Sequence, residues 1–485
     1  MRRTCSDQKV GGTFGWPSYQ TWEFTSSTPV RSVFPLWLVY GPPLTVFKWI
    51  SEGLGYDDVS PLAVFYLLRV LMFLLSFILG DWALHELLPL KRERAVGLVL
   101  VASSYVTWTY QMHTFSNSIE TLIVLWCIVL MRRMRDNNEH TQVRLCVALA
   151  FLGVFGIFNR ITFPAFLIVP AVQLLPGLLV RPLRIPIMFL TSAVTTLVAV
   201  AIDTEHYSGN RFRFRKTLDT AVFTPWNNLA YNLDSANLAQ HGLHPFWQHF
   251  VANLPQLIGP ALPLLIASSR RNSLYWSGIV GIALLSCFRH QEPRFLLPAV
   301  PLLLSAVNLP KRFTRVWVCA WVAFNILAGV LFGSYHQAGV VPMQDWIGQQ
   351  SGVAHVLWWK TYSPPRWLLG HENAYASTTD LMGIPGPRMM QELARMVSCT
   401  PNANKTLLVA PSSATFLDTY KATLPSSQLV HLEHLWQVRR HIGLDDLDFG
   451  DDGVWPTLQR VIGRRGLDVW RVTADCDGST TESIT

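Results

Sequence analysis

Charge is what this 485-residue chain has least of: 14% of its residues are charged, against 50% hydrophobic. An ordinary soluble domain carries about a quarter charged residues, so the balance points instead to a membrane protein. Phosphate-cradling signatures are missing too. There is no Walker loop and no GxGxxG beside a strand, and neither HExxH nor a DxD pair placed for a nucleotide-sugar metal occurs. The seven cysteines make no metal-ligand spacing, and Cys127, Cys146, Cys287 and Cys319, in or beside apolar runs, read as small buried hydrophobes. Internal repeats with broken helices at matching positions, the usual mark of a transporter, are not evident. The net charge of +8 does not signal nucleic acid, because the basic residues sit in short clusters between apolar blocks and the aromatics lie inside those blocks.

What the chain does have is long apolar runs. Candidate spans lie near Pro61–Leu88, Ala95–Met112, Ser118–Met131, Arg144–Phe158, Phe163–Val180, Ile185–Ile202, Val251–Ala267, Leu274–Phe288, Phe295–Leu309 and Val316–Gly333, about ten in all, several of them short. The cationic clusters KRER (Lys91–Arg94), MRRMR (Met131–Arg135), RPLR (Arg181–Arg184), SRRN (Ser269–Asn272) and PKRFTR (Pro310–Arg315) follow alternate spans and so fall on one side. The positive-inside rule makes that side cytosolic. RFRFRK (Arg211–Lys216), in the long loop Asp203–Phe250, is the exception, and long loops do translocate against the rule.

The expected architecture is an all-α polytopic membrane protein with a small luminal α/β region at its C-terminal end. Residues 1–60 form a luminal segment, 61–333 the multi-span domain with the luminal loop 203–250, and 334–485 the luminal tail. The tail holds the sequon Asn404-Lys405-Thr406, and Cys399 and Cys476 can pair in an oxidising lumen. TLLVAP (Thr406–Pro411) and DVWRVTAD (Asp468–Asp475) read as strands, Ser426–His441 as a helix, and DDLDFGDDG as a solvated acidic loop. At the other end, Met1–Ile50 shows no signal peptide, and Pro35–Ile50 is broken by Gly41-Pro42-Pro43, so the topology leads one to expect a membrane helix missing before this chain.

The links assigned to the non-cytosolic side carry the unusual polar residues. RHQEPRF places His290, Gln291, Glu292 and Arg294 between two apolar runs; Glu120, Arg160 and Asn227 occupy other links, and Trp22, Glu23 and Arg31 lie in the N-terminal segment. A guanidinium that grips phosphate in bidentate fashion, with His or Glu for sugar hydroxyls, suits a lipid-borne sugar phosphate. Taken singly, each has a plainer reading. RHQEPRF is then a wet interfacial turn restarting at Pro293, Arg160 a snorkelling helix-end arginine, Glu120 a complement to the helix dipole, and Glu23 with Arg31 an exposed ion pair.

HQEPRFLLP resembles the HKExRFxxP-type signature of the glycosyltransferase family 22 mannosyltransferases. TWEF, PVRS, FSNSIET, NRITF and FTPWNNLAYN are similar to that family in the same order. The finer resemblance, carried by NLAQHGLHP, YHQAGV and KTYSPPRWLL, is to its group that adds the fourth mannose of glycosylphosphatidylinositol (GPI) anchors. The resemblance implies a GT-C fold in the endoplasmic reticulum membrane, with the active site facing the lumen. It implies transfer of mannose, with inversion, from dolichyl-phosphate-mannose to the third mannose of a GPI precursor, forming an α-1,2 linkage. No cofactor beyond that donor and no metal is implied, and no protein partner is indicated. By the same resemblance His290, Gln291, Glu292 and Arg294 are substrate-binding residues, with Glu23, Arg31, Glu120, Arg160 and Asn227 beside them.

The general base of that family is expected from an HPDE-type motif ahead of the segment matching TWEF. Here the only acidic residue before Trp22 is Asp7, so the base is unassigned. Three alternatives stay open: a transferase for the third GPI mannose, one for the lipid-linked N-glycan precursor, and an inactive form that binds lipid as a subunit.

Overall fold

The computed structural model describes residues 13–16, 21–56, 59–136, 142–209, 221–239, 242–370, 373, 376–397, 405–420, 430–447 and 449–474. Asn404, Cys399, Cys476 and RFRFRK lie outside them. The chain forms two compact units, one from Gln20–Ile50 with Phe65–Gly329, the other mainly from Val330–Thr485.

The first unit is helical. Its elements are α1 (Trp22–Thr25), α2 (Phe34–Gly53), α3 (Pro61–Leu87, with a π turn), α4 (Lys91–Ser103), α5 (Ser116–Asp136), α6 (Val143–Asn159), α7 (Ile168–Val180) and α8 (Arg184–Ser208). They continue as α9 (Thr224–Leu233), α10 (His249–Ile258), α11 (Ala261–Ala267), α12 (Ser273–Leu285), α13 (Ala299–Leu304) and α14 (Thr314–Tyr335). Among the described residues three helices, α3, α8 and α14, are long and apolar enough to cross a membrane; α10 and α11, bent by 119°, make a fourth if they count as one span. Their outward side chains are apolar: Phe189, Leu190, Val194, Leu327 and Val330 are all exposed. A helix in water would turn such residues toward a core, so these surfaces fit a hydrocarbon solvent. Cys287 and Cys319 share that exposure, whereas Cys127 and Cys146 are buried as expected.

The core of the unit is α5, which packs on α6, α7 and the end of α3 and is buried on every side from Ser116 to Leu125. Its two ends differ in chemistry. At the C-terminal end Arg133 pairs with Glu86, Arg132 donates to the Leu87 carbonyl at 2.8 Å, and buried Arg184 donates to the Met134 carbonyl at 3.1 Å. Arg270 in turn reaches Glu93 at 3.1 Å and the Ser305 carbonyl at 2.5 Å. KRER, MRRMR, RPLR and SRRN are thereby brought to one end, with PKRFTR following Ser305 by a few residues.

Two expectations about helices need correction. Gly41-Pro42-Pro43 does not break the apolar piece; α2 runs through it without interruption. Phe295–Leu309, by contrast, is not one helix. It is a 3-10 turn, Pro293–Leu296, then the short α13, because Pro298 and Pro301 interrupt the ladder. Residues 296–307 are almost entirely buried, so this segment is core rather than lipid-facing wall.

The second unit holds a five-stranded sheet of order β2-β1-β3-β5-β4, with β1 (Val353–Trp358), β2 (Ser377–Asp380), β3 (Lys405–Pro411), β4 (Val430–Val438) and β5 (Leu467–Ala474). β1 pairs parallel with β2 and β3; β5 pairs antiparallel with β3 and β4. Helix α15 (Val340–Gly348) covers one face, packing Met343 and Ile347 with Leu407 and Val409. Helix α16 (Gly386–Met396) covers the other, packing Met389 and Leu393 with Leu408 and Ala410. Coverage on both faces explains why β3 reads as an unbroken apolar run. The helix expected over Ser426–His441 is β4 where described: pairing with β5 overrides local helix preference. The acidic loop is not wholly solvated either, since buried Asp446 accepts a hydrogen bond from Ser413 Oγ at 3.0 Å.

Candidate functional site

At the N-terminal end of α5, opposite the basic clusters, three carboxylates meet three guanidinium groups. The tightest pair is buried. Glu120, on the first turns of α5, lies 3.1 Å from the Arg160 guanidinium, and its side chain is 0% exposed. Thr162 Oγ1 donates to Glu120 Oε1 at 2.8 Å and Asn117 Nδ2 to Oε2 at 3.3 Å, so both carboxylate oxygens are occupied. Arg160 follows the end of α6, where NRITF turns back sharply. Gly156 makes that turn possible: a Cβ there would stand 2.5 Å from the Phe163 ring. Gly281 of α12 likewise admits the Phe166 ring.

The second group is RHQEPRF itself. Glu292 accepts from His290 Nε2 at 3.0 Å and lies 2.5 Å from Arg294 Nε. Gln291 points the other way: its Oε1 accepts the His249 backbone N–H at 3.0 Å, and its Nε2 donates to the carbonyls of Phe288 and Ser286 at 3.0 and 3.1 Å. The amide is fully used in fixing the turn, and the residue is 2% exposed.

The third pair comes from the N-terminal segment, where Arg31 donates to Glu23 Oε1 through Nε and Nη2 at 3.1 and 3.0 Å. Burial pushes the Glu23 carboxyl up, but Arg31 beside it, with Arg294 and Arg160 farther off, outweighs burial and holds it below the usual carboxylate range. The Glu23 carboxylate thus lies in the field of all three guanidinium groups. Two aromatic rings join two of the pairs physically. The Arg160 guanidinium lies 4.9 Å from the centre of the Phe295 ring, and that of Arg294 lies 5.7 Å from Phe295 and 5.6 Å from Phe115.

Asn227 stands apart in role. Its Nδ2 donates to the Pro29 carbonyl at 3.0 Å, while Asn228 Nδ2 reaches the Val30 carbonyl at 3.0 Å. Sequence reasoning missed the centre of this clamp, Asp203 at the end of α8. Its buried carboxylate accepts from Ser32 Oγ and the Val33 N–H, both at 2.9 Å, and from Thr224 Oγ1 at 2.8 Å. Tyr207 Oη adds a bond to the Arg31 carbonyl at 2.6 Å. The signal was an acidic residue closing an apolar run, which reads equally well as the start of a loop. Asn117 and Thr162 were also missed, because hydroxyl and amide side chains near helix ends ordinarily serve as caps.

Exposure separates the carboxylates by use. Glu120, wholly enclosed, holds Arg160, whereas Glu292 and Glu23 are 18% and 26% exposed and Arg31 and Arg294 19% and 22%. A cluster of guanidinium groups beside accessible carboxylates, at the end of an apolar helical unit, suits group transfer from a lipid-borne phosphate: cations for the departing charge, a carboxylate for the attacking hydroxyl. Such an arrangement fits a membrane glycosyltransferase.

Residues 10–371 match the Alg9-like mannosyltransferase family, and the chain belongs to it. Among its relatives are proteins named GPI mannosyltransferase 4. That of Aspergillus oryzae is 46% identical across 95% of this chain and 92% of its own length. That of Yarrowia lipolytica is 36% identical across 90% of each, and that of Saccharomyces cerevisiae 34% across 91% of this chain and 89% of its own.

Proposed function

We propose that this chain adds the fourth mannose, in α-1,2 linkage, to the third mannose of a GPI precursor, taking it with inversion from dolichyl-phosphate-mannose in the endoplasmic reticulum membrane. The observation that carries this reading is the pairing of Glu120 with Arg160 and of Glu292 with Arg294 around Phe115 and Phe295, with the Glu23–Arg31 pair in the field of the same arginines, within the segment matched to the family. The name shared by the relatives supports the acceptor.

Arg294 and Arg31 stabilise the departing dolichyl phosphate, Glu292 and His290 bind sugar hydroxyls, and Glu120 and Gln291 position their neighbours. The basic clusters at the far end of α5 support a luminal site under the positive-inside rule. About ten crossings then include the short apolar helices and the irregular segment around α13. A luminal tail also makes Asn404 a glycosylation site and allows Cys399 to pair with Cys476.

The test is expression in cells that lack addition of the fourth GPI mannose, with lipid precursors analysed by mass. Appearance of the four-mannose precursor supports the proposal. A gain at the third GPI mannose or on the N-glycan precursor, or no gain from a chain that is expressed and membrane-inserted, overturns it.

A further inference from the structure

The C-terminal unit contains a cavity of about 640 Å³ that has no part in the site above. It opens where β3 ends and α17 (Val454–Gly463) turns into β5, and its lining joins Ser412, Gln437, Arg439, Arg465, Asp468 and Trp470. Gly466, at φ 152°, makes the turn: a Cβ there would meet Ser412 Oγ at 2.6 Å.

The charges around this cavity are unevenly satisfied. Arg464 is held by Asp418 at 2.5 Å, and Asp468 lies 3.2 Å from His434 Nε2. Arg439 and Arg465, both exposed, make no hydrogen bond or ion pair among the described residues. Two unpaired guanidinium groups from separate elements thus line one concavity, a pattern suited to a group with several anionic oxygens. The other walls suit a polyol. Gln437 Nε2 donates to Ser412 Oγ at 3.0 Å, leaving the amide oxygen and the serine hydroxyl proton for ligand hydroxyls, and Trp470, 6% exposed, closes the cavity as part of an apolar wall with Ala414 and Leu417. The volume lies within the usual range of small-molecule pockets, about 300–1,000 Å³.

The geometry points to a binding site for a phosphorylated polyol or sugar, with the phosphate on Arg439 and Arg465 and the hydroxyls toward Gln437 and Ser412. The same chemistry is found in a free sugar phosphate and in the headgroup of an inositol phospholipid. This inference does not depend on mannosyl transfer.

The experiment uses the full chain in detergent, with binding read by native mass spectrometry and by thermal shift. The probes are myo-inositol 1-phosphate, dihexanoyl phosphatidylinositol, myo-inositol and inorganic phosphate. The R439Q/R465Q double variant is compared with wild type, and R440Q serves as a control outside the cavity lining. Binding of either phosphorylated inositol, lowered about tenfold or more in the double variant and unchanged in R440Q, is the expected result. Preference for the lipid identifies a headgroup, and equal or better binding of the soluble phosphate identifies a free ligand. Absence of binding, binding of inorganic phosphate as tight as that of the inositol phosphates, or equal affinity in a double variant that melts as wild type does would each overturn the assignment. Because none of these readouts needs transferase activity, failure here is distinguishable from failure of the proposed function.

Discussion

Glu120 and Arg160 form a buried ion pair at 3.1 Å, and the guanidinium of that pair lies 4.9 Å from the Phe295 ring. One end of the pair is enclosed by α5 and the other faces the ring of the motif that follows α12. Breaking it leaves an uncompensated charge where water cannot reach. Glu120→Gln is therefore expected to destabilise the protein by about 3–5 kcal/mol. The double variant E120Q/R160M is expected to recover much of that stability without recovering mannosyl transfer. Melting in detergent, run beside a transfer assay, checks both halves.

Arg294 and Glu292 are accessible and sit on a turn whose backbone is fixed by Gln291. Arg294→Ala and Glu292→Gln are expected to lower transfer by about a hundredfold or more while leaving a folded protein, as when a preorganised charge-stabilising group is removed. Arg294→Lys, which keeps the charge but loses the planar fork, should fall between. Wild-type turnover in either of the first two variants would remove the motif from the mechanism.

Asp203 binds Ser32, Val33 and Thr224 but touches neither Arg31 nor Glu23 by side-chain contact. Its substitution tests positioning apart from chemistry. Asp203→Asn is expected to cost about 1–3 kcal/mol of stability, the range for a buried partner lost from a hydrogen-bond network. Loosening of the segment that carries Arg31 should raise KM for the donor more than it lowers kcat. Asn227→Ala, which removes one bond to the Pro29 carbonyl, should shift the same parameters in the same direction by less.

The Glu23 carboxyl is held below its ordinary range by Arg31, with help from Arg294 and Arg160, against the upward push of burial. For a depressed carboxylate the associated stability is fully present above the unfolded-state value, about 4.3, and is lost as pH falls through the lower folded-state value. Melting temperatures across acidic pH should therefore fall less steeply in Glu23→Gln than in wild type. Parallel curves for the two proteins would contradict the pairing.

The sequence by itself determined the apolar solvent of this protein and the gathering of its basic clusters between alternate runs. Apolar runs of spanning length with basic clusters between alternate ones are a property of composition and order, and the structure brings those clusters together through Arg270 with Glu93 and Arg184 with the Met134 carbonyl. β3 and β5 were legible for a similar reason, since β3 is buried on both faces and its apolar run is unbroken. β4 was not, because a half-buried edge strand takes its conformation from its partner's hydrogen bonds rather than from its own residues.

The same limit applied to the site. His290, Glu292 and Arg294 are neighbours in the chain, so their cooperation could be read from one motif. That Glu23 with Arg31 and Glu120 with Arg160 share their electrostatic environment, that Glu120 and Gln291 are spent internally, and that Asp203 latches the N-terminal segment were decided only by tertiary structure. A carboxylate has the same letter whether it faces substrate or a buried arginine; packing between helices distant in sequence determines which it does.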